Sequence, residues 1–161
     1  MKLELALAKD ADGDFPLPRD IVEEEIGFAL SPLLEGYEIV IVVLSCVSED
    51  EMKRLNFRYR NIDEPTDVLS FPMWEEGGEF RPPEGWHSLP LGDVVISPSF
   101  VRRGAEEANI GYNNEIARMV VHGALHLVGF DHGDDDGAAA MLDLQERTVV
   151  RIFSRVDSRE D

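Results

Sequence analysis

Three of the chain's four histidines, His122, His126 and His132, fall in one short stretch. On an α-helix, residues four apart lie about 40° apart around the axis and one turn along it. His122 and His126 therefore project side by side, and their imidazoles can share one ion. A straight helix would carry His132 about 9 Å beyond His126 and onto a different azimuth. Gly129 offers the remedy: glycine can adopt a positive φ, end the helix after Val128 and turn the chain so that His132 comes back toward the pair. Three protein ligands with an open fourth position are the pattern of a catalytic rather than a structural zinc site, so one zinc ion is expected, although imidazole also suits nickel, copper and iron. Such an ion acidifies bound water to a pKa of about 7.

The spacing His-x-x-x-His-x-x-Gly-x-x-His is that of metzincin proteases with one departure. Those enzymes carry a glutamate as general base after the first histidine, and here that position is Gly123. A peptidase mechanism thus lacks its base, and a metallopeptidase-like or other zinc hydrolase is the alternative reading. Asp131 beside a ligand and Asp67 after a Pro-Thr turn are candidates to orient water or a ligand. Asp134, Asp135 and Asp136 read as the cap and dipole-compensating start of a helix rather than as a cation site. His87, alone in a loop, reads as structural.

The elements that must position these groups are legible from periodicity. Leu3, Leu5 and Leu7 alternate as a first strand, and Ile21, Val22, Ile26, Ala29, Leu30, Leu33 and Leu34 recur at helical spacing. The β-branched run 38–47 reads as a central strand that also houses Cys46 as a small core hydrophobe. Ser48 to Glu51 is a capping box opening a helix through about Arg58. Short strands are expected over 67–71 and 92–97, with a Gly- and Pro-rich loop, 74–90, long enough to be a functional lid. Trp74 and Trp86 in it either pack the loop or stack on bases. Helices are expected over 99–109, 114–128 and 136–156. The expected fold is a single α+β domain, 1–156, with a mixed sheet of about four strands, helices packed on it, a central helix carrying the two histidines, and a fraying charged tail, 157–161.

At 161 residues the chain can bury roughly two-thirds of its unfolded surface without a staple, and one cysteine excludes an internal disulfide. No apolar run reaches the roughly 18 residues of a membrane span, and the N-terminus lacks a basic stretch followed by an apolar one, so a cytoplasmic location is expected with no membrane partner. The formal net charge of −18 repels polyanions overall and argues against a nonspecific nucleic-acid binder. Screening beyond about 8 Å still permits a local cationic groove.

Three blocks of the sequence resemble the YbeY family of bacterial endoribonucleases: Leu55-Asn56-Phe57-Arg58-Tyr59-Arg60 with Pro65 to Pro72; Leu91-Gly92-Asp93-Val94-Val95-Ile96; and Met119 through His132. The resemblance implies cleavage of single-stranded RNA assisted by a metal, zinc before others, in 16S ribosomal RNA maturation and ribosome quality control. It places the family's functional arginine on Arg60, which joins His122 as a catalytic residue. A guanidinium can grip phosphate oxygens bidentately and offset charge developing in phosphoryl transfer. On composition alone Arg60 reads as a surface ion pair. Arg58 is the accompanying substrate-binding candidate, since Arg54 and Arg58 share a helix face; Arg102 and Arg103 extend a groove or simply face solvent. The implied partners are single-stranded ribosomal RNA and ribosomal small-subunit proteins or assembly factors, with no DNA expected. A ribosome-assembly factor in which the metal only orders the helix and turn is the non-enzymatic alternative.

Overall fold

In the computed structural model, which describes residues 1–8, 15–131 and 135–160, the β-branched strand and its neighbours form the expected mixed sheet. Strands β1 (Lys2–Leu7), β2 (Ile39–Cys46), β3 (Val68–Pro72) and β6 (Ser88–Ile96) lie in the order β1-β2-β6-β3; β1, β2 and β6 run parallel and β3 runs antiparallel to β6 at the edge. A small hairpin, β4 (Glu75–Glu76) and β5 (Glu79–Phe80), stands apart from it. Among the described residues there are five α-helices: α1 (Arg19–Leu30), α2 (Glu49–Arg60), α3 (Pro98–Ala108), α4 (Tyr112–Leu127) and α5 (Asp135–Glu160). The protein is a single α+β domain, and none of these helices is long and apolar enough to cross a membrane.

Alternation on the strands divides the sheet into two faces. Leu3 and Leu5, then Val40, Val42 and Leu44, enter one large core with Ile26 of α1, Val101 of α3, Val120 and Ala124 of α4 and Ile152 of α5. The other face is covered at the β3 end by α2, whose Met52 meets Leu69 and Val95 in a smaller core. Helix α4 therefore lies between the sheet and α5, and α2 lies across the sheet from it. Ser48 caps α2 as its sequence promised, accepting from the Glu51 amide at 3.2 Å.

Three of the boundaries that differ from expectation have an identifiable physical reason. Strand β6 begins at Ser88, inside the region read as a loop, because a register shift opposite Ile41 and Val42 inserts one extra residue. That bulge flips the alternation, so Leu89 and Leu91 before it and Val94 and Ile96 after it all enter the same core, and it accommodates Pro90, which cannot donate to a ladder. Gly92, at φ 133°, fits there because a Cβ would collide with the Phe71 carbonyl. Helix α2 runs two residues past Arg58 to Arg60, ending where Asn61 adopts the left-handed conformation at φ 58° and donates its amide to the Phe57 carbonyl. Helix α5 continues past 156 through Glu160, where Arg159 grips both carboxylate oxygens of Asp20 at 3.0 and 2.8 Å.

Glu25 fastens α1 to α5. Its carboxylate is 5% exposed and accepts from Arg151 Nε at 2.6 Å and Arg155 Nη1 at 3.0 Å. Burial pushes its carboxyl upward, but the two guanidinium groups outweigh that and hold it below its ordinary value near 4.5. A carboxyl depressed on folding contributes stability that is complete above its unfolded-state value and is lost as pH falls through the folded-state one. Glu25→Gln is expected to cost about 1 to 3 kcal/mol at neutral pH, the arginines limiting the loss because they remain in contact with water. Urea denaturation across a pH series should show the gap to the unsubstituted protein narrowing below about pH 4; a gap that stays constant to pH 3 would contradict the assignment.

Candidate metal and phosphate site

The packing of α4 decides where its histidines point. At Gly123 a Cβ would sit 2.5 Å from Val94 Cγ1 and 3.2 Å from Ser70 Oγ, so only glycine lets the helix lie this close to β6 and β3. Ser70 Oγ donates to the Gly123 carbonyl at 3.0 Å, pinning α4 to the edge strand. With that face against the sheet, His122 and His126 emerge half-buried at the sheet's edge. The consequence for the protease-like spacing is direct. Position 123 faces the sheet, not the cleft, so a glutamate there could not serve as the base.

Each imidazole is then held by its Nδ1. Gly129, at φ 93°, closes α4 with paired bonds: the Gly129 amide donates to the His126 carbonyl and the Phe130 amide to the Leu125 carbonyl, both at 3.2 Å. The turn brings the Phe130 carbonyl 2.7 Å from His126 Nδ1. A carbonyl only accepts, so this nitrogen carries the proton in the neutral ring and the Nε2 lone pair is left for the cleft. His122 Nδ1 is 2.8 Å from Gln145 Oε1 on α5, which fixes the second ring the same way. The two Nε2 atoms stand 3.0 Å apart. Two lone pairs facing each other at that distance call for a cation between them. The separation is also close to the roughly 3.3 Å edge of a tetrahedron of nitrogens about 2.0 to 2.1 Å from zinc. The residues present therefore fit a metal ion. Among the described residues no group of three His, Cys, Asp or Glu side chains assembles, and His132, the expected third ligand, lies outside them, as does Asp134.

Arg60 is brought to the same place. A cleft of about 480 Å³ is lined by Arg60, Asp67, Ser70, His122, His126 and Asp131, among others. Arg60 is exposed, at the C-terminal end of α2, and among the described residues no carboxylate pairs with it, which leaves the surface ion-pair reading without a partner. Asp67 is oriented by the Val68 amide at 2.8 Å and the Thr66 hydroxyl at 3.2 Å. With Asp131 and Glu75 also on the wall, one arginine among the described lining residues stands with three carboxylates. The cleft is formally anionic until a cation enters it.

Other candidates lie elsewhere. Arg58 does not line the cleft; its guanidinium carbon is 5.3 Å from the Tyr59 ring centroid. Arg103 pairs with Glu49, and Arg102 stacks 3.8 Å over the Tyr112 ring. Trp74 and Trp86 pack edge to face at 5.4 Å, and Trp74 Nε1 donates to the Pro90 carbonyl at 2.6 Å, so they brace the start of β6 and the residues just before it. His87 lies 3.5 Å from Glu38, away from the cleft, and Cys46 is buried. Gln145 is the residue sequence reading missed. Its signal was present: it occupies the core-facing stripe Met141, Gln145, Thr148, Ile152 of α5, where a 6% exposed amide needs a partner. The Arg118 ion pair to Glu146, at 2.8 Å, fastens the same stretch of α5 to α4.

Comparison with known proteins gives these residues a context. The model of the family "Endoribonuclease YbeY" matches residues 18–152, a span that contains Arg60, His122, His126, His132 and Gln145. The chain is 41% identical over 121 residues to Endoribonuclease YbeY of Treponema pallidum subsp. pallidum, covering 75% of this chain and 72% of that protein. It is 37% identical over 139 residues to that of Persephonella marina, covering 84% and 87%. Among solved structures, the solution structure of TM1509 from Thermotoga maritima superposes with a TM-score of 0.61 at 29% identity, covering 99% of this chain and 95% of that one. With the matched span taking in both walls of the cleft and the helices that build it, the chain belongs to the YbeY endoribonuclease family.

Proposed function

We propose that this protein is a metal-dependent endoribonuclease that cuts single-stranded RNA in the cytoplasm, acting on the 3′ end of 16S ribosomal RNA and in ribosome quality control. The reading is carried by one juxtaposition: two imidazole Nε2 atoms 3.0 Å apart share a cleft with an arginine that no carboxylate among the described residues neutralises. His122, His126 and His132 would hold one divalent ion, zinc in the first instance. When bound, the ion supplies Lewis-acid polarisation of a phosphoryl oxygen and acidification of water. Arg60 grips the phosphate's other oxygens and offsets the charge that develops on them. Gln145 and the Phe130 carbonyl keep both rings in the tautomer that presents Nε2. The protein's acidic surface suits docking on basic ribosomal small-subunit proteins or assembly factors, which would deliver so acidic a nuclease to its substrate.

Purified protein is expected to cut single-stranded RNA in preference to duplex and to stop when chelated. His126→Ala should remove both cleavage and stoichiometric metal, whereas Arg60→Ala should keep the metal and lose about 100- to 1,000-fold in kcat/KM. Cleavage that survives chelation and His126→Ala would sink the proposal; Arg60→Ala with full activity in the cell would favour a structural metal in an assembly factor.

A second expectation concerns Gln145. Gln145→Leu keeps the volume but leaves His122 Nδ1 without its acceptor, and should weaken zinc binding about 10- to 100-fold, with Gln145→Glu recovering most of it. Competition with a chromophoric zinc chelator measures this, and equal affinity of Gln145→Leu and the unsubstituted protein would remove Gln145 from the site.

A further inference from the structure

We propose that Tyr59 is a stacking platform for one unpaired base of the RNA, held next to the phosphate gripped by Arg60. The inference rests on the nuclease reading above and adds a nucleobase subsite to it.

The last turn of α2 presents Tyr59 and Arg60 in succession. Beside the histidine cleft lies a second depression of about 550 Å³ whose walls include Tyr59, Phe71, Gly77 and Gly78, and Arg60 lines both. A nucleotide whose phosphate meets Arg60 therefore has its neighbouring base within reach of the second depression.

The depression offers an aromatic surface to a ligand. Tyr59 is 56% exposed, yet it is not loose: its ring meets Phe71 edge to face, with centroids 4.9 Å apart and planes at 71°. Phe71 in turn packs against the small core of Met52, Leu69 and Val95. The ring is thus propped in place before any ligand arrives, which reduces the ordering cost of binding. Also on its wall, Gly77 and Gly78 turn the β4–β5 hairpin at φ 60° and 80°, and nothing lies within 4 Å of where their Cβ atoms would be. Tyr59 and these two glycines line the same depression, and the glycines put no side chain into it.

The charges select the class of ligand. Arg58 lies with its guanidinium carbon 5.3 Å from the Tyr59 centroid, so a planar cation already uses this ring, and Arg60 flanks it on the cleft side. An aromatic surface between two arginines suits a flat, anion-bearing ligand, which a nucleotide is. Glu75 on the shared wall disfavours a bare anion and leaves stacking to hold the base. Stacking of this kind requires a base withdrawn from its helix, so Tyr59 would give the cleft its preference for single strands. The two tryptophans are engaged with each other and with the Pro90 carbonyl, which leaves Tyr59 as the platform beside Arg60.

The test uses zinc-loaded protein, KM for cleavage, and fluorescence anisotropy with a short single-stranded RNA whose phosphorothioate linkages slow turnover. An abasic site is walked along the strand. Tyr59→Ala and Tyr59→Leu should weaken binding of the intact strand roughly 5- to 100-fold, more in KM than in kcat, and Tyr59→Phe or Tyr59→Trp should restore it. Leu preserves an apolar contact with Phe71, so it separates stacking from packing if Tyr59→Ala proves unstable. One abasic position should weaken binding to the unsubstituted protein and be insensitive to Tyr59→Leu. Equal affinity for intact and abasic strands at every position, or equal affinity of Tyr59→Leu and the unsubstituted protein, overturns the inference. A protein that binds the strand through Tyr59 without cutting it supports the platform while ending the nuclease reading; one that binds no single strand ends both.

Discussion

The contact of Gly123 with Val94 and Ser70 is the constraint on which the site depends. It brings α4 flush against β6 and β3, and Ser70 Oγ bonds the Gly123 carbonyl to keep it there. Close approach of helix to sheet sets the azimuth of every residue on α4. With Gly123 turned to the sheet, the neighbouring His122 and the turn-related His126 must face the open edge beyond β3. The same sheet carries α2 on its opposite face through Met52, Leu69 and Val95, and the end of α2 brings Arg60 around that edge. The cleft is therefore the place where two faces of one sheet meet, and neither helix alone could build it.

Orientation of the two rings is settled by elements with other structural duties. The bonds that end α4 at Gly129 satisfy carbonyls any helix must satisfy, and in doing so aim the Phe130 carbonyl at His126 Nδ1. Packing of α5 on α4 buries Gln145, and its amide oxygen finds His122. A buried amide and an imidazole each leave a polar atom that would be costly alone, and each answers the other. Placement and tautomer thus come from the same packing that stabilises the fold, which couples site geometry to the docking of α5 through Glu25 and Arg118.

Much of this is legible in the residues. Spacing alone puts His122 and His126 on one helical face, Gly129 marks the turn, and Ser48 marks the start of α2. What escapes is set by long-range pairing. Strand β6 cannot be seen before Gly92 because its alternation reverses at a bulge, and a Pro within a run argues against a central strand. Periodicity ends α2 two residues short because Asn61 in the left-handed conformation, not a glycine, closes it. Gln145 stands out as a polar residue on a core-facing stripe, but its role stays hidden until the partner across the interface, His122, is known. Arg60 stands out only by resemblance: an arginine among many acids is ordinary, and only the fold shows that none of the described acids reaches it.

Charge unites the whole molecule with the cleft. A chain of net charge −18 repels RNA at long range, and a cleft in which one arginine among the described lining residues stands with three carboxylates does so at short range as well. Screening removes most of the first effect at physiological salt, since its length is about 8 Å, and acts less on a phosphate that enters the cleft itself. A divalent cation would offset the excess of two carboxylates over Arg60 among the described lining residues, and the facing Nε2 atoms of His122 and His126 are where the structure would seat one. The acidic residues that line the cleft would therefore make binding of a polyanion depend on such a cation, which would cancel their excess charge and add a fixed direction of approach. A cleft so arranged selects for a phosphate presented with something further to hold, because Arg60 and one ion supply little surface by themselves. That places weight on the ground beside Arg60, where an exposed, propped aromatic ring lines the adjoining depression.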